Sequence, residues 1–514
     1  MKHPLAVLAI SLCTATPLFA AVEVDSIFGD HMVVQRDKPV AVFGSAAAGE
    51  LVKVAFGADV AETHAGVDGR WIVRLPARKA EAKPSQIRIV GVSNEVLLQD
   101  VLVGDVWITA GQSNMEFKLG QDAEGGAELQ SAADPALRVA TFEPLNKNVG
   151  ALAFGPDDAQ RLNPDSYYRG SWAAAAGPDA ARASAVGYWF AKKIRAEVGI
   201  PVGVVGYAIG GAPLETFASR EALTASGFGN KLSGDWMKNQ ELPTWVRARA
   251  AQNLAKLLDS PGDELGKNHG YKPAFAWESG MARIAEFPVR GFLWYQGESN
   301  AVEPARIAEY ARLQALMAAD WRAKWKDPKL PFYFVQLSAC EAAERKHWGE
   351  FRDMQRRSVA AIPAPSGMAV SYDHGPPVDA KSDVHPNHKR PVGERLALLA
   401  LRDVYGKPGM ISSGPAPAEM TVRGGELVIG FDHAAGMKSS SGGQLAGFEI
   451  SNDGAAWTPA DARVEGHTVI VSAPGVSAPK AVRYAWASWC KDANLVNGAG
   501  LPASTFQLPA SAQP

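Results

Sequence analysis

The chain has 514 residues, 47% hydrophobic and 21% charged, and a formal net charge of −2. That length exceeds one ordinary core, so roughly two to four domains are expected. The near-neutral balance, without a long basic run, argues against nucleic acid as a partner.

The opening stretch "MKHPLAVLAISLCTATPLFAAVEV" reads as a secretory signal over 1–21. Lys2 and His3 give a polar start, Pro4 to Cys13 an apolar core, and Ala20 or Ala21 a small-residue cleavage point. The run is short for a membrane-spanning helix. Leu12 and Thr14 around Cys13 do not suit a lipid-anchored cysteine. A periplasmic or secreted product with no membrane partner follows as the expectation. The mature chain then keeps Cys340 and Cys490, open either to one disulfide in an oxidising compartment or to two buried thiols.

Residues 22–100 carry strand patterning. "KPVAVFGSA" and "ELVKVAF" are short runs broken by Gly and Ala, and Asp68-Gly69 before alternating Trp71, Val73 and Leu75 signals a hairpin. A small antiparallel β-module is expected there. Over 101–408 the style changes. "VLVGDVWITA", "PVGVVGYAI", "VRGFLWYQ", "LPFYFVQLSA" and "SGMAVSYD" are buried-type strands. "SAVGYWFAKKIRAEVG" places Val186, Trp189, Phe190 and Ile194 on one helical face, with Gly199 and Pro201 as stops. "PARIAEYARLQALMAADWRAKW" opens on Pro304 and spaces Ile307, Tyr310, Leu313, Met317 and Trp321 helically; "GERLALLALRDVYG" is a last helix ended by Gly406. Alternating strands and helices imply a parallel sheet covered on both faces. Residues 226–277 mix Trp, Pro and helical pieces and read as an insertion. Over 409–514, "ELVIGF", "LAGFEIS", "TVIVSA" and the turn in "SNDGAAW" return to β patterning and give a second β-module.

Open parallel sheets bind ligands beyond the carboxyl ends of their strands. Four polar clusters fall at such places: "GQSNME", "GGAPLE", "QGESN" and the loop "SDVHPNHKRPVGERL". Their residue types suit acyl transfer. A serine nucleophile needs a base, and His385 is the best placed. Ser113 N–H, Gly211 N–H and the Asn300 side chain are candidate oxyanion donors. Asp383 lies two residues before His385, so both side chains point the same way in an extended loop. "GQSNM" lacks the second glycine of the G-x-S-x-G elbow, which leaves Ser299 in "GESNA" as a rival nucleophile.

Taken together, "GQSNM", "GGAPLE", "WYQGESN" and "DVHP" resemble the four blocks of SGNH hydrolases, in the version found in the sialate O-acetylesterase family. The opening "IFGDHMVVQRDKPVAVFG" and the ending "VRYAWASWCKDANLVNGAGLPASTF" resemble that family's two β-modules. The resemblance implies an α/β fold: a three-layer, flavodoxin-like parallel sheet domain with small β-sandwich modules at both ends. It implies a carboxylic ester hydrolase that removes O-acetyl groups from sugars, sialic acids or plant polysaccharides such as xylan, xyloglucan or pectin, without a cofactor or metal. By the matching motifs, Ser113 is the nucleophile, Gly211 and Asn300 are oxyanion donors, and His385 is the base. Asp383 departs from the pattern: many SGNH enzymes place the acid three residues before His, and some relatives work with a Ser-His dyad.

Other readings compete. Glu298 is a substrate contact, a support behind the site or a packing carboxylate; Gln112 and Gln296 tie across the site or serve only structure. His374 is a weaker base. His385 and His388 have i, i+3 spacing, but no third metal ligand follows suitably. Lys389, Arg390 and Arg395 suit a solvated helix start. Trp236, Trp245 and Trp277 suit core packing better than sugar stacking. A non-catalytic glycan-binding protein on a degenerate hydrolase scaffold is the alternative of another class.

Overall fold

The computed structural model describes residues 21–131, 134–145, 152–257, 259–340, 345–375 and 384–509. The expected signal, apart from Ala21, and the expected acid Asp383 lie outside the described residues.

One long strand organises the molecule. Strand β1 spans Glu95–Gly111, 17 residues. Its first part pairs antiparallel with Glu81–Val90, and Val33–Gln35 joins it in parallel at Leu102–Gly104. Its second part is buried on both faces. There it lies between two parallel strands, β3 (Val202–Gly206) and β4 (Gly291–Tyr295). The module junction expected at 100/101 therefore falls inside a single strand. With β2 (Leu137–Thr141), β5 (Phe332–Val335) and β6 (Ser366–Ala369), the parallel order is β2-β3-β1-β4-β5-β6. Trp172–Ala174 adds an antiparallel edge on β2, which makes the sheet mixed.

Near-continuous apolar runs form these strands because both faces are covered. On one face, Trp107, Leu293 and Tyr333 pack with Val186, Phe190, Leu396 and Ala400. These come from helices α2 (Ala185–Val198) and α5 (Arg390–Asp403). On the other face, Ile108, Phe292 and Phe334 pack with Tyr310, Trp321 and Phe351. These belong to α3 (Pro304–Lys324) and α4 (Trp348–Ser358). Helix α2 starts where the Ser184 hydroxyl accepts from Gly187 N–H, 3.2 Å, and stops at Gly199 in the left-handed region, as the sequence indicates. Among the elements that escaped the sequence reading are two of the central layers. Strand β2 is only "LRVAT", and α4, "WGEFRDMQRRS", hides its buried Trp348, Phe351 and Met354 among charges.

The Asp68-Gly69 signal marks a turn but not a hairpin. The strands it joins, Asp59–His64 and Arg70–Leu75, pair with different partners, Leu51–Phe56 and Val40–Ser45. Trp71, Val73 and Leu75 do alternate inward, because that face covers the module's core. In the last module "SNDGAAW" is a true hairpin turn between Phe448–Ser451 and Thr458–Pro459. The module has its own core around Phe448, Tyr484 and Phe506. The fully buried Arg352 guanidinium joins it to the central sheet. It donates to the carbonyls of Leu337 and Ser338 and to those of Ala487 and Ser488.

Candidate active site

Each polar cluster follows a parallel strand, so all converge on the carboxyl edge of the sheet. At the end of β1, Gly111 adopts φ +136°, and a Cβ there would lie 2.1 Å from the Tyr295 carbonyl oxygen of β4. Only glycine lets the two strands end so close, with Gln112 N–H donating to that carbonyl at 2.9 Å. The chain then turns into the single-turn helix α1, Ser113–Glu116, which presents the partly exposed Ser113.

The decisive contact crosses 272 residues. His385 Nε2 lies 2.7 Å from Ser113 Oγ. His374 does not compete: its ring lies against Asp373, 3.5 Å away, and Asp373 is gripped by Arg395 at 2.6 and 2.7 Å. Arg395 thus holds a carboxylate rather than facing solvent.

Beside Ser113, the buried Asn114 fixes the histidine loop. Its amide donates to the Val384 carbonyl, 3.0 Å, and to Glu298. Its oxygen accepts from Lys389 Nζ. Lys389 is 1% exposed, contrary to a solvated helix start, with its ammonium 4.7 Å from the centre of the Phe117 ring. Burial is tolerated because the charge is hydrogen-bonded and faces a ring. Glu298 is thereby a partner of Asn114 inside the protein.

The "QGESN" loop is tied to the first by side chains. Gln112 Oε1 accepts from Gln296 Nε2 at 3.1 Å and from the N–H groups of Gly297 and Ser299, both 3.3 Å. Gln296 also donates to Asn300 Oδ1, 2.8 Å, and accepts from the Tyr310 hydroxyl, 2.7 Å. Gln112 and Gln296 are both buried and occupied by protein partners. Asn300 Oδ1 also accepts from Leu214 N–H, 3.1 Å, and Nδ2 donates to Glu215 Oε2, 3.1 Å. These partners fix which way the amide points and leave one Nδ2 hydrogen for another acceptor. Glu215, the last residue of "GGAPLE", is fully buried and paired with the buried Lys231 at 3.2 Å. Sequence reading passed over it, although a charge ending an apolar strand loop was a signal.

The 226–277 segment supplies more than core. Trp236 and Trp277 are buried in the core. Trp245 is partly exposed, and its indole N–H donates to the Ser299 carbonyl at 3.2 Å. Tyr271 donates to the Gly210 carbonyl, 2.9 Å. Ser299, the rival nucleophile, is 1% exposed and donates to the Gly211 carbonyl, 2.9 Å, so its hydroxyl is engaged away from His385.

Glu116, at the end of α1, is a further titratable group at this edge. It lines a pocket with Lys118, Glu143 and Arg182. Burial pushes its carboxyl up to about 7, against the opposing hydrogen bond from Gly210 N–H. Among the described residues, no group of three His, Cys, Asp or Glu is arranged to hold a metal ion. Cys340 is buried and Cys490 is partly exposed.

Comparison with known proteins places this α/β chain among the carboxylic ester hydrolases. Residues 268–400 match a family model described as carbohydrate esterase, sialic acid-specific acetylesterase. A crystal structure of a carbohydrate acetylesterase from Xanthomonas citri superposes with TM-score 0.76 and 31% identity, covering 95% of this chain and 99% of that one. Sialate O-acetylesterase of Rattus norvegicus is 25% identical over 494 residues, 90% of this chain and 89% of the rat protein. The human sialate O-acetylesterase is 24% identical over 502 residues, 90% of this chain and 87% of its own length. The chain belongs to the sialate O-acetylesterase family of carbohydrate esterases.

Proposed function

We propose that this protein removes O-acetyl groups from sugars through an acetyl-enzyme on Ser113. The 2.7 Å approach of His385 Nε2 to Ser113 Oγ carries the reading. His385 takes the hydroxyl proton as Ser113 Oγ attacks the acetyl carbonyl carbon. The resulting oxyanion is held by Ser113 N–H, Gly211 N–H and the uncommitted Nδ2 hydrogen of Asn300. When the carbon–oxygen bond to the sugar breaks, the sugar oxygen takes the proton from His385. Water, deprotonated by His385, then attacks the acetyl-enzyme, and acetate leaves as Ser113 recovers its proton. Asp383 is proposed to orient His385.

The rat relative's name supports O-acetylated sialic acid as a substrate. A neutral acetylated polysaccharide is favoured by one observation. In the pocket beside α1, Lys118 and Arg182 both already meet Glu143, at 2.9 and 3.2 Å. A sugar carboxylate would have to share them; a neutral sugar would not. The proposed organisation is a secreted or periplasmic chain with a signal over 1–21, a β-module over 22–100, the hydrolase domain over 101–408 and a β-module over 409–514.

Two measurements test the reading. A fluorophosphonate should label Ser113, identified by peptide mass; labelling elsewhere, or none, refutes the nucleophile. Acetate release should be seen on O-acetylated sialic acid or on acetylated xylan or xyloglucan, and the ratio between them ranks the two substrate classes. Release from neither removes the substrate proposal.

A further inference from the structure

The loop between β3 and Leu214 has an uneven hydrogen-bond pattern. Ile209 N–H donates to the Gly111 carbonyl, 2.9 Å, and Ala212 N–H to the Ile209 carbonyl, 3.0 Å. Gly210 N–H meets the Glu116 carboxyl. The Gly210 carbonyl accepts from the Tyr271 hydroxyl and the Gly211 carbonyl from the Ser299 hydroxyl, each at 2.9 Å. Among the described residues, Gly211 N–H meets no protein acceptor. Gly211 is partly exposed.

The Gly210–Gly211 peptide is trans and planar, so its N–H points opposite to its carbonyl. Whatever pins the Gly210 carbonyl therefore aims the Gly211 N–H. The pin is Tyr271. It is 1% exposed and held by its own N–H to His269 Nδ1, 3.1 Å. Its ring meets His269 and Trp245 edge-on, at 4.5 and 5.9 Å between centroids. Burial holds the phenol far above its usual range, so it stays a donor at all working pH values. Gly211 sits at φ +75°, and a Cβ there would lie 2.3 Å from the Tyr271 hydroxyl. The close approach of hydroxyl to backbone is thus part of the built geometry.

We infer that Tyr271 is a positioning residue that aims Gly211 N–H at the developing oxyanion, while Ser299 holds the following peptide through the Gly211 carbonyl and so fixes the other side of Gly211. The inference rests on the serine-esterase reading above. It gives the 226–277 segment a role in rate rather than only in packing. Aimed N–H donors contribute to the transition state and little to ground-state binding.

The test compares wild type with Tyr271→Phe, which keeps the ring and loses only the hydroxyl. On an aryl acetate, kcat should fall about 10–100-fold, less than the loss for removing an oxyanion donor outright. KM should stay within about twofold, and Ki for an alkyl boronic acid, which forms a tetrahedral adduct on serine, should rise by the same factor as kcat falls. A full kcat overturns the inference, as does a loss seen in KM alone or one with Ki unchanged. Should Tyr271→Phe fail to fold, Ser299→Ala carries the test. It should show a smaller kcat loss, about 3–10-fold, with a matching rise in Ki; unchanged values overturn the inference there too. Ser113→Ala separates the two levels. Retained turnover in Ser113→Ala sinks the serine reading itself, whatever Tyr271→Phe does.

Discussion

The loops "GQSN" and "GESN" begin alike and end in different roles. Each follows a parallel strand, β1 or β4, and each opens on a glycine with a large positive φ, +136° at Gly111 and +153° at Gly297. Each then offers Ser-Asn. After β1, Ser113 is partly exposed and meets His385, while Asn114 is buried and holds the histidine loop by the Val384 carbonyl. After β4 the serine is the buried one, spent on the Gly211 carbonyl, and Asn300 is oriented by Glu215. The difference lies in what packs against each loop. Segment 226–277 brings Trp245 over the second, whereas the first opens toward the loop before α5. A local motif therefore fixes the turn, and neighbours from distant sequence decide which side chain reaches the cleft.

The sharpest way to break this contrast is to delete each serine hydroxyl. Ser113→Ala or His385→Ala should lower kcat about 10³-fold or more, while Ser299→Ala should stay within about tenfold. Steady-state hydrolysis of an aryl acetate checks it, and the reverse ranking would exchange the roles of the two loops.

The asparagines give the next largest effect. Asn300→Ala should cost about 10²–10³ in kcat as a lost oxyanion donor. Asn114→Ala should cost about 10–100-fold, because it lets the His385 loop shift rather than removing a reacting group. Equal losses would mean that Asn300 supports structure only.

The smallest effect concerns the acid of the first loop. The Glu116 carboxyl is raised from its usual 4.5 to about 7, so the folded protein favours its protonated form. The stability this contributes is present below pH 4.5 and lost as pH rises through about 7. Glu116→Gln cannot ionise. Its Tm should match wild type at pH 4 and exceed it at pH 8 by about 1–3 °C. A constant difference across that range would show that Glu116 titrates alike in the folded and unfolded chain.

Much of this was legible in the chain. Buried-type strands, the faces of α2 and α3, and the four polar clusters all rest on local periodicity and composition, which read directly. Strand β2 and helix α4 escaped because one is five residues long and the other buries its apolar face under a charged sequence. The Asp68-Gly69 turn was legible, but its strands' partners were not, since a turn does not say which sheet receives each arm.

By itself, then, the sequence determined the alternating α/β order and named Ser113, His385, Gly211 and Asn300 as candidates, because helices, strands and strand-end loops follow from near-neighbour chemistry. Tertiary structure decided the rest. It set His385 against Ser113 across 272 residues, buried Ser299 under Trp245, and turned Tyr271 and Glu215 toward the glycine loop and Asn300. The physical reason is that a hydrogen bond's partner is chosen by proximity in the packed fold, and no local pattern encodes which buried donor will meet which distant carbonyl.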